Sequence, residues 1–255
     1  MKITFLGVGE ACDERYPNTS LLIRGMDPGG PGGLLLDCGF TVPPLVWPWL
    51  SSPDELAGVW LSHFHGDHFF GLPALLLRLW ETGRTRRLAI VGQQGIGDLV
   101  DRTMDLAYPG FRKRLGFALE FSQAEPGESL NVLGYEWRTA VSEHGQRCLA
   151  VRLDGPGGSI FYSGDGRPTA ATLELAKGCR LVVHEAFALD SETVAGHGTV
   201  AGCIEFARAA GAEFLAVVHV QREVRRDRFE RARGMLDAAA EVDAFAPEPG
   251  DQLIL

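Results

Sequence analysis

The strongest constraint in this 255-residue chain is the hexapeptide HFHGDH at residues 63–68. It directly follows residues 58–62, GVWLS, whose apolar and β-branched composition is typical of a buried strand end. Three imidazoles and a carboxylate at such a place would each cost about 1–3 kcal/mol if they lacked partners. Histidine nitrogen and aspartate oxygen are ligands that zinc takes in catalytic sites. The hexapeptide therefore predicts a metal site, and it has more ligands than one ion needs, which favours two ions.

The hexapeptide resembles a known motif. His63, His65, Asp67 and His68 match the H-x-H-x-D-H motif of the metallo-β-lactamase superfamily, and the longer string over residues 63–73 resembles its ribonuclease Z branch. Further matching motifs follow in the same order along the chain: MKITFLGVG at 1–9, NTS at 18–20, LLLDCG at 34–39, SGD at 163–165, HEAF at 184–187, GHGT at 196–199 and VVH at 217–219. The resemblance therefore extends over most of the chain.

The hydrophobic pattern predicts the arrangement of the secondary structure. Strands are predicted at residues 2–7, 20–24, 34–38, 59–62, 136–142, 150–153, 159–163 and 214–219, the early ones in a mostly antiparallel sheet. Helices are predicted at residues 72–81, 96–108, 169–177, 200–210 and 225–240, and a glycine-rich turn at residues 29–33. Two facing sheets with helices outside them, an αββα sandwich of the α/β class, account for this order. We expect a single hydrolase domain over residues 1–255.

The resemblance implies two divalent metal ions and assigns seven residues to them. One ion would be held by His63, His65 and His144 and the other by Asp67, His68 and His219, with Asp165 bridging both. Zinc suits these ligands, and so do manganese and iron. Two ions about 3.5–4 Å apart can activate a water and hold the oxygens of a phosphoryl group during in-line displacement. The resemblance also implies that Asp67 orients that water or accepts its proton.

The resemblance further implies a proton donor on the leaving-group side, formed by Glu185 and His197. By this resemblance His197 would act as the general acid and Glu185 would be its hydrogen-bond partner. His184 is expected to serve the fold. The ribonuclease Z branch commonly has threonine and serine at the positions of Phe187 and Gly198, so two hydroxyl groups are missing here.

The interval between His144 and Asp165 departs from the ribonuclease Z pattern. Many members of that branch have a long arm there that grips the tRNA elbow, whereas this chain has 20 residues, enough for two strands and the GPGG turn at 155–158. The net charge of −9, from 24 Lys and Arg against 33 Asp and Glu, also opposes tRNA binding, which depends on phosphate neutralisation. Intact tRNA is therefore disfavoured, and a small or short phosphodiester is favoured.

These observations favour a metal-dependent hydrolase, namely a phosphodiesterase related to ribonuclease Z but without its tRNA-binding arm. Because a fold and its metal core do not determine the bond that is cut, sulfatase, lactonase and thioesterase activities stay open. A non-catalytic protein that binds a ligand in a metal-dependent way is a further alternative. The arginine-rich residues 222–233 are either a solvated helix face or a source of phosphate contacts through Arg222 or Arg225.

The remaining features of the sequence predict a cytoplasmic protein. Its cysteines are widely spaced and are expected to be free thiols: Cys12, Cys38, Cys148, Cys179 and Cys203. No segment has the ~20 consecutive apolar residues of a membrane span or the pattern of a signal peptide. A homodimer is expected by resemblance, and residues 69–72, FFGL, with the helix that follows are either its contact surface or part of the core.

Overall fold

The computed structural model describes residues 1–25, 32–190 and 194–255. Most of the glycine-rich turn predicted at residues 29–33 lies outside the described residues.

The strands are β1 (Lys2–Gly7), β2 (Ser20–Arg24), β3 (Gly33–Leu36), β4 (Leu56–Leu61), β5 (Leu88–Gly92), β6 (Leu119–Gln123), β7 (Leu130–Val132), β8 (Tyr135–Ser142), β9 (Cys148–Gly155), β10 (Gly158–Tyr162), β11 (Leu181–Glu185), β12 (Phe214–Val218), β13 (Asp243–Phe245) and β14 (Gln252–Ile254). The helices are α1 (Pro43–Val46), α2 (Gly66–Phe69), α3 (Leu72–Glu81), α4 (Ile96–Ala107), α5 (Ala170–Ala176), α6 (Val200–Ala210), α7 (Arg222–Asp227) and α8 (Phe229–Asp237). Short 3₁₀ turns lie at Trp47–Trp49, Pro53–Glu55 and Phe111–Arg114.

In the described part of the chain the strands form two sheets, with the orders β14-β1-β2-β3-β4-β5-β6 and β13-β12-β11-β10-β9-β8-β7. The first sheet is mixed: β14, β1, β2 and β3 are antiparallel, whereas β3, β4, β5 and β6 are parallel to one another. The predicted antiparallel arrangement of the early strands is therefore confirmed for β1, β2 and β3 and wrong for β4. The physical reason is that α3 and α4 connect β4 to β5 and β5 to β6. Each helix returns the chain to the end of the sheet where the preceding strand began.

The two sheets pack face to face, and helices cover their outer faces. The inner core joins Ile3, Phe5 and Trp60 of the first sheet to Trp137 and Tyr162 of the second, and all five side chains are fully buried. A second apolar cluster joins the first sheet to α1, α3 and α4, and a third joins the second sheet to α5, α6 and α8. The predicted αββα sandwich is therefore confirmed. Among the residues described, no helix is long and apolar enough to cross a membrane.

The segment predicted as one helix at residues 225–240 is two shorter helices. α7 ends at Asp227 and α8 begins at Phe229, and Arg228 between them has a φ of −133°, which is outside the helical region. The charge pattern of residues 225–240 does not indicate the break at Arg228, because charge periodicity shows which side of a helix faces solvent but does not show where the backbone leaves the helical conformation.

Two glycines allow the loop after β3 to lie directly against α2, the helix that contains Asp67 and His68. The Cys38 amide donates to the His68 carbonyl at 2.8 Å, and the Gly71 amide donates to the Cys38 carbonyl at 2.9 Å. A Cβ atom at Gly39 would overlap the Asp67 carbonyl oxygen. The main chain of α2 is therefore held against the sheet by backbone contacts that a larger residue would prevent.

The substitution Gly39→Ala is expected to lower the free energy of unfolding by about 1–3 kcal/mol, because the added methyl group must displace the backbone at Asp67. Denaturant unfolding measures this change. Gly116→Ala is the matched control, since a Cβ atom at Gly116 meets nothing within 4 Å. Equal stability of the two variants would contradict the close approach.

Candidate metal centre

The predicted metal ligands lie at one edge of the sandwich, where strands of both sheets end. His63 and His65 follow β4, Asp67 and His68 lie on α2, His144 follows β8, Asp165 follows β10 and His219 follows β12. The structure thus brings together residues that are up to 156 positions apart in the sequence, from 63 to 219.

A first cluster, able to hold a metal ion, consists of His63, His65, His144 and Asp165. His63 Nε2 and His144 Nε2 each lie 3.1 Å from His65 Nδ1. Asp165 Oδ2 lies 3.8 Å from His63 Nε2. Ligand atoms around a tetrahedral zinc ion with bonds of about 2.0–2.1 Å are separated by about 3.3 Å, so this spacing suits an ion.

A second cluster consists of Asp67, His68, Asp165 and His219. His68 Nε2 lies 3.2 Å from Asp165 Oδ1 and 3.3 Å from Asp67 Oδ2. His219 Nε2 lies 3.4 Å from Asp67 Oδ2 and 3.5 Å from Asp165 Oδ2. Within the described ranges, the buried atoms His68 Nε2 and Asp165 Oδ1 have no hydrogen-bond partner, and a cation would satisfy both. Because Asp165 belongs to both clusters, its carboxylate can join them.

A buried carboxylate, Asp37, orients one histidine of each cluster. Its Oδ2 accepts hydrogen bonds from His68 Nδ1 at 2.7 Å, Tyr162 Oη at 2.7 Å and Ser62 Oγ at 2.8 Å, and its Oδ1 accepts one from the Ser62 amide at 2.8 Å. Ser62 Oγ also lies 3.0 Å from His63 Nδ1. Partners of this kind fix the ring orientation of a ligating histidine. In the sequence, Asp37 lies within the LLLDCG motif at residues 34–39, and the signal for its role is an aspartate directly after the apolar run LLL.

Two residues of the site have a strained main chain. Asp37 has a φ of 58° and His219 a φ of 56°, which lie in the left-handed region that favours glycine. Such conformations cost on the order of 1–3 kcal/mol and occur where the surrounding structure imposes them, often at functional sites. The His219 amide donates to the Val8 carbonyl at 2.8 Å, so β1 of the first sheet helps to hold this turn of the second.

The structure also brings Glu185 and His197 together beside these clusters. Glu185 Oε1 accepts hydrogen bonds from His197 Nδ1 at 3.1 Å and from the amides of Gly166 and Gly198 at 2.9 and 3.0 Å. Its Oε2 accepts a bond from the Phe187 amide at 3.1 Å. Since Nδ1 of His197 is engaged, Nε2 is the ring nitrogen that can exchange a proton with a bound molecule.

The ring of His197 lies between the two clusters. It stacks on Phe187, with centroids 4.6 Å apart, and lies 5.1 Å from the ring of His144 and 5.8 Å from that of His219. Phe187 therefore forms part of the wall of the site next to the proposed proton donor. His184, by contrast, is buried and donates from Nδ1 to the Glu185 carbonyl at 2.8 Å, which agrees with its expected role in the fold.

The two arginines considered as phosphate ligands differ in their surroundings. Arg225 is 3% exposed, and its guanidinium lies 3.9 Å from the centroid of the Tyr16 ring, so the hypothesis that it reaches a substrate phosphate is wrong. Arg222 is partly exposed and pairs with the buried Glu10 at 2.7 Å. Cys12 is exposed and belongs to none of the clusters found among the described residues.

Comparison with known proteins extends these observations. Residues 33–220 match the family model of the beta-lactamase superfamily domain. Ribonuclease Z of Methanothermobacter thermautotrophicus is 26% identical over 296 aligned positions, which cover 95% of this chain and 92% of the relative.

Solved structures show the same fold over the whole chain. The metallo-beta-lactamase fold protein YhfI from Bacillus subtilis superposes with a TM-score of 0.81 at 19% identity, covering 99% of this chain and 98% of the other. The short form of human tRNase Z superposes with a TM-score of 0.80 at 20% identity, with coverage of 99% and 98%.

Replacement of Asp37 by asparagine is expected to lower metal affinity about 10–100-fold. Both oxygens of the Asp37 carboxylate accept hydrogen bonds, so in either orientation the side-chain NH₂ group of asparagine would face a donor instead of an acceptor. Competition with a chromophoric chelator measures the affinity. Tyr162→Phe is the control, since it removes only one of the four donors to this carboxylate. A loss in Asp37→Asn no larger than the loss in Tyr162→Phe would contradict the role of Asp37.

Metal affinity is also expected to fall as the pH is lowered. Burial lowers the pKa of His219, but Asp165 and Asp67 outweigh it and raise the pKa to about 9. Burial likewise opposes the charged form of His68, but Asp165 and Asp37 hold its pKa well above the ordinary value. Below these values the metal-free chain binds protons that an ion must displace, so affinity increases as the pH rises towards about 9. Calorimetry in buffers of different ionisation enthalpy counts the released protons, and a pH-independent affinity would contradict the assignment.

Proposed function

This chain belongs to the beta-lactamase superfamily, and we propose that it is a dinuclear metal-dependent phosphodiesterase that acts on a small or short phosphodiester. The observation that carries this proposal is the pair of clusters that share Asp165, with Glu185 and His197 beside them. We further propose that residues 1–255 act as one hydrolase domain.

The proposed ligands divide between the two ions as the clusters do. His63, His65 and His144 would hold one ion, Asp67, His68 and His219 would hold the other, and Asp165 would contact both. We propose zinc, since its bonds of about 2.0–2.2 Å to histidine and aspartate suit these separations, while manganese and iron take the same ligand types. When bound, two such ions hold phosphoryl oxygens and lower the pKa of a coordinated water.

Asp67 is the proposed base for the attacking water. Burial raises the pKa of its carboxyl group, but hydrogen bonds from His219 and His68 outweigh this and hold the pKa well below its ordinary value. The carboxylate is therefore an acceptor throughout the neutral range. In the proposed reaction it orients the water or accepts its proton as the new bond between oxygen and phosphorus forms.

His197 is the proposed general acid. The water oxygen bonds to phosphorus, the bond from phosphorus to the leaving oxygen breaks, and the proton on His197 Nε2 passes to that oxygen. Glu185 supports this role because its Oε1 accepts the hydrogen bond from Nδ1 and so fixes which nitrogen faces the substrate. Its side chain is fully buried, whereas that of His197 is 19% exposed, so the imidazole is the member of the pair that substrate can reach.

The short stretch of sequence between His144 and Asp165 supports a substrate smaller than tRNA. β9 and β10 form an antiparallel hairpin there, so no residues remain for a protruding arm. The 296 aligned positions with the archaeal ribonuclease Z exceed the 255 residues of this chain, so the relative has insertions that this chain lacks. The net charge of −9 and the internal position of Arg225 point the same way.

A homodimer and a cytoplasmic location stay predictions. Phe69 and Leu72 are buried in the core, so most of the predicted contact segment does not face a partner. Phe70 and Leu106 are 58% and 86% exposed and line the same surface cavities, which leaves an apolar area that a second copy could cover.

Elemental analysis combined with diester hydrolysis tests the proposed function. We expect about two metal ions per chain and metal-dependent cleavage of bis(p-nitrophenyl) phosphate, with a dinucleotide or cyclic nucleotide cleaved faster than precursor tRNA. Asp67→Ala is expected to lower turnover at least about 100-fold, and Asp101→Ala, which removes an exposed carboxylate paired with Arg112, is expected to have no effect.

Each contrary result has a separate meaning. A single metal ion per chain would contradict the dinuclear centre. Two ions without diester cleavage would contradict the phosphodiesterase and direct the search to sulfates, lactones and thioesters. An inactive wild type that binds a phosphodiester as well as Asp67→Ala does would favour a non-catalytic binding protein.

A further inference from the structure

We propose that Arg167 is a positioning residue for His197, and that it holds the main chain from which the general acid projects. This inference rests on the proposed function, because His197 is the residue proposed there to protonate the leaving group. Arg167 follows Asp165 by two positions, so it is fixed close to the residue that the two clusters share.

The guanidinium of Arg167 binds the segment that carries His197, residues 194–198. Its Nε donates to the His197 carbonyl at 3.2 Å, and its Nη2 donates to the Val194 carbonyl at 2.9 Å. Its Nη1 lies 3.8 Å from the Glu143 carboxylate. The Arg167 amide also donates to the Glu143 carbonyl at 2.9 Å, so the arginine is itself anchored beside His144.

The segment 194–198 has little regular structure to hold it in place. It is neither helix nor strand, and within it the His197 amide donates to the Val194 carbonyl at 3.2 Å. Other contacts also hold it: Glu185 Oε1 accepts from His197 Nδ1 and from the Gly198 amide, and His144 Nδ1 donates to the Gly196 carbonyl at 2.8 Å. The Ala188 amide donates to the Gly198 carbonyl at 3.3 Å. Among the described residues, Arg167 Nη2 is the donor that binds the Val194 carbonyl from outside the segment.

The bonds of Arg167 explain why it serves His197 and not the substrate. Two of its nitrogens donate to carbonyl oxygens of the segment, and the third lies 3.8 Å from the Glu143 carboxylate, so its hydrogen bonds are made to the segment that carries His197. Bonds from a charged donor are stronger than those between neutral groups. Proton transfer requires the imidazole to lie within about 2.6–3.2 Å of the leaving oxygen, so a small shift of this main chain removes the acid from reach.

The dependence on the leaving group separates this role from a general structural one. In bis(p-nitrophenyl) phosphate the departing nitrophenolate needs no proton, whereas a dinucleoside monophosphate releases a ribose oxygen that does. Arg167→Met is expected to lower kcat on the dinucleoside monophosphate at least about tenfold, which is part of the 10²–10⁴-fold that a general acid contributes in total. It is expected to change kcat on the nitrophenyl diester less than about twofold. Arg167→Lys, which keeps the charge but cannot bind both carbonyls, is expected to lie between the wild type and Arg167→Met.

The double variant tests whether Arg167 acts through His197. In a His197→Ala background, Arg167→Met is expected to cause little further loss on the dinucleoside monophosphate, because effects of residues that act as a unit are not additive. Arg87→Met is the matched control, since it removes an exposed arginine paired only with Glu120 at the surface. It is expected to leave both activities unchanged.

Amide hydrogen exchange provides a readout that does not depend on turnover. The amides of His197 and Gly198 are expected to exchange at least about tenfold faster in Arg167→Met than in wild type or in Arg87→Met, since their acceptors lie within or beside segment 194–198. Unchanged exchange would overturn the proposal, and so would equal losses of kcat on both diesters or additive losses in the double variant. If the wild type cleaves neither diester, the phosphodiesterase proposal fails, while the exchange rates still decide whether Arg167 holds the segment.

Discussion

The buried carboxylate of Asp37 is the contact on which the geometry of the candidate site depends. It lies directly after a strand of the first sheet and receives a hydrogen bond from Tyr162 at the end of a strand of the second, so it joins the two layers. Burial and the charge of Asp37 raise the pKa of Tyr162 well above its ordinary value, which keeps the phenol a donor. The other donors to this carboxylate are Ser62 and His68, which lie before and within the metal-binding motif. The packing of the two sheets therefore fixes the position of Asp37, and Asp37 in turn fixes the ring orientations of the candidate ligands.

Burial and neighbouring charges act against each other on the titratable groups of the candidate site. Burial lowers the pKa of His63, and the neighbouring His68 lowers it further, so the imidazoles oppose one another's protonation. Asp165 is buried as well, yet the charges of His219 and His68 hold its pKa well below the ordinary value. The αββα core supplies the stability that such a cluster requires, and the backbone strain at His219 shows that the fold imposes the arrangement. A divalent ion removes the conflict by satisfying nitrogen and oxygen atoms together.

The leaving-group side has a different construction from the metal clusters. The residues of the clusters lie at strand ends and on α2. His197, by contrast, lies on an irregular segment that is bound to the rest of the fold by hydrogen bonds with Glu185, His144 and Arg167. Because His144 is both a candidate ligand and an anchor of that segment, the position of the acid depends on the position of the first cluster. Phe187 stacks on the same ring, so an aromatic side chain also helps to set the orientation of the imidazole.

The sequence alone indicated the αββα class through its order of strands and helices, and a metal site through the HFHGDH motif, because both are local features of the chain. The full set of candidate ligands followed from the resemblance of its motifs to a known family. The sequence also indicated a site without a tRNA-binding arm, since the interval between His144 and Asp165 can be counted directly. The parallel half of the first sheet, the internal position of Arg225 and the roles of Asp37 and Arg167 were decided only by the tertiary structure. The physical reason is that each of these depends on partners distant in the sequence, such as Tyr162 for Asp37, and a one-dimensional pattern does not specify which surfaces meet.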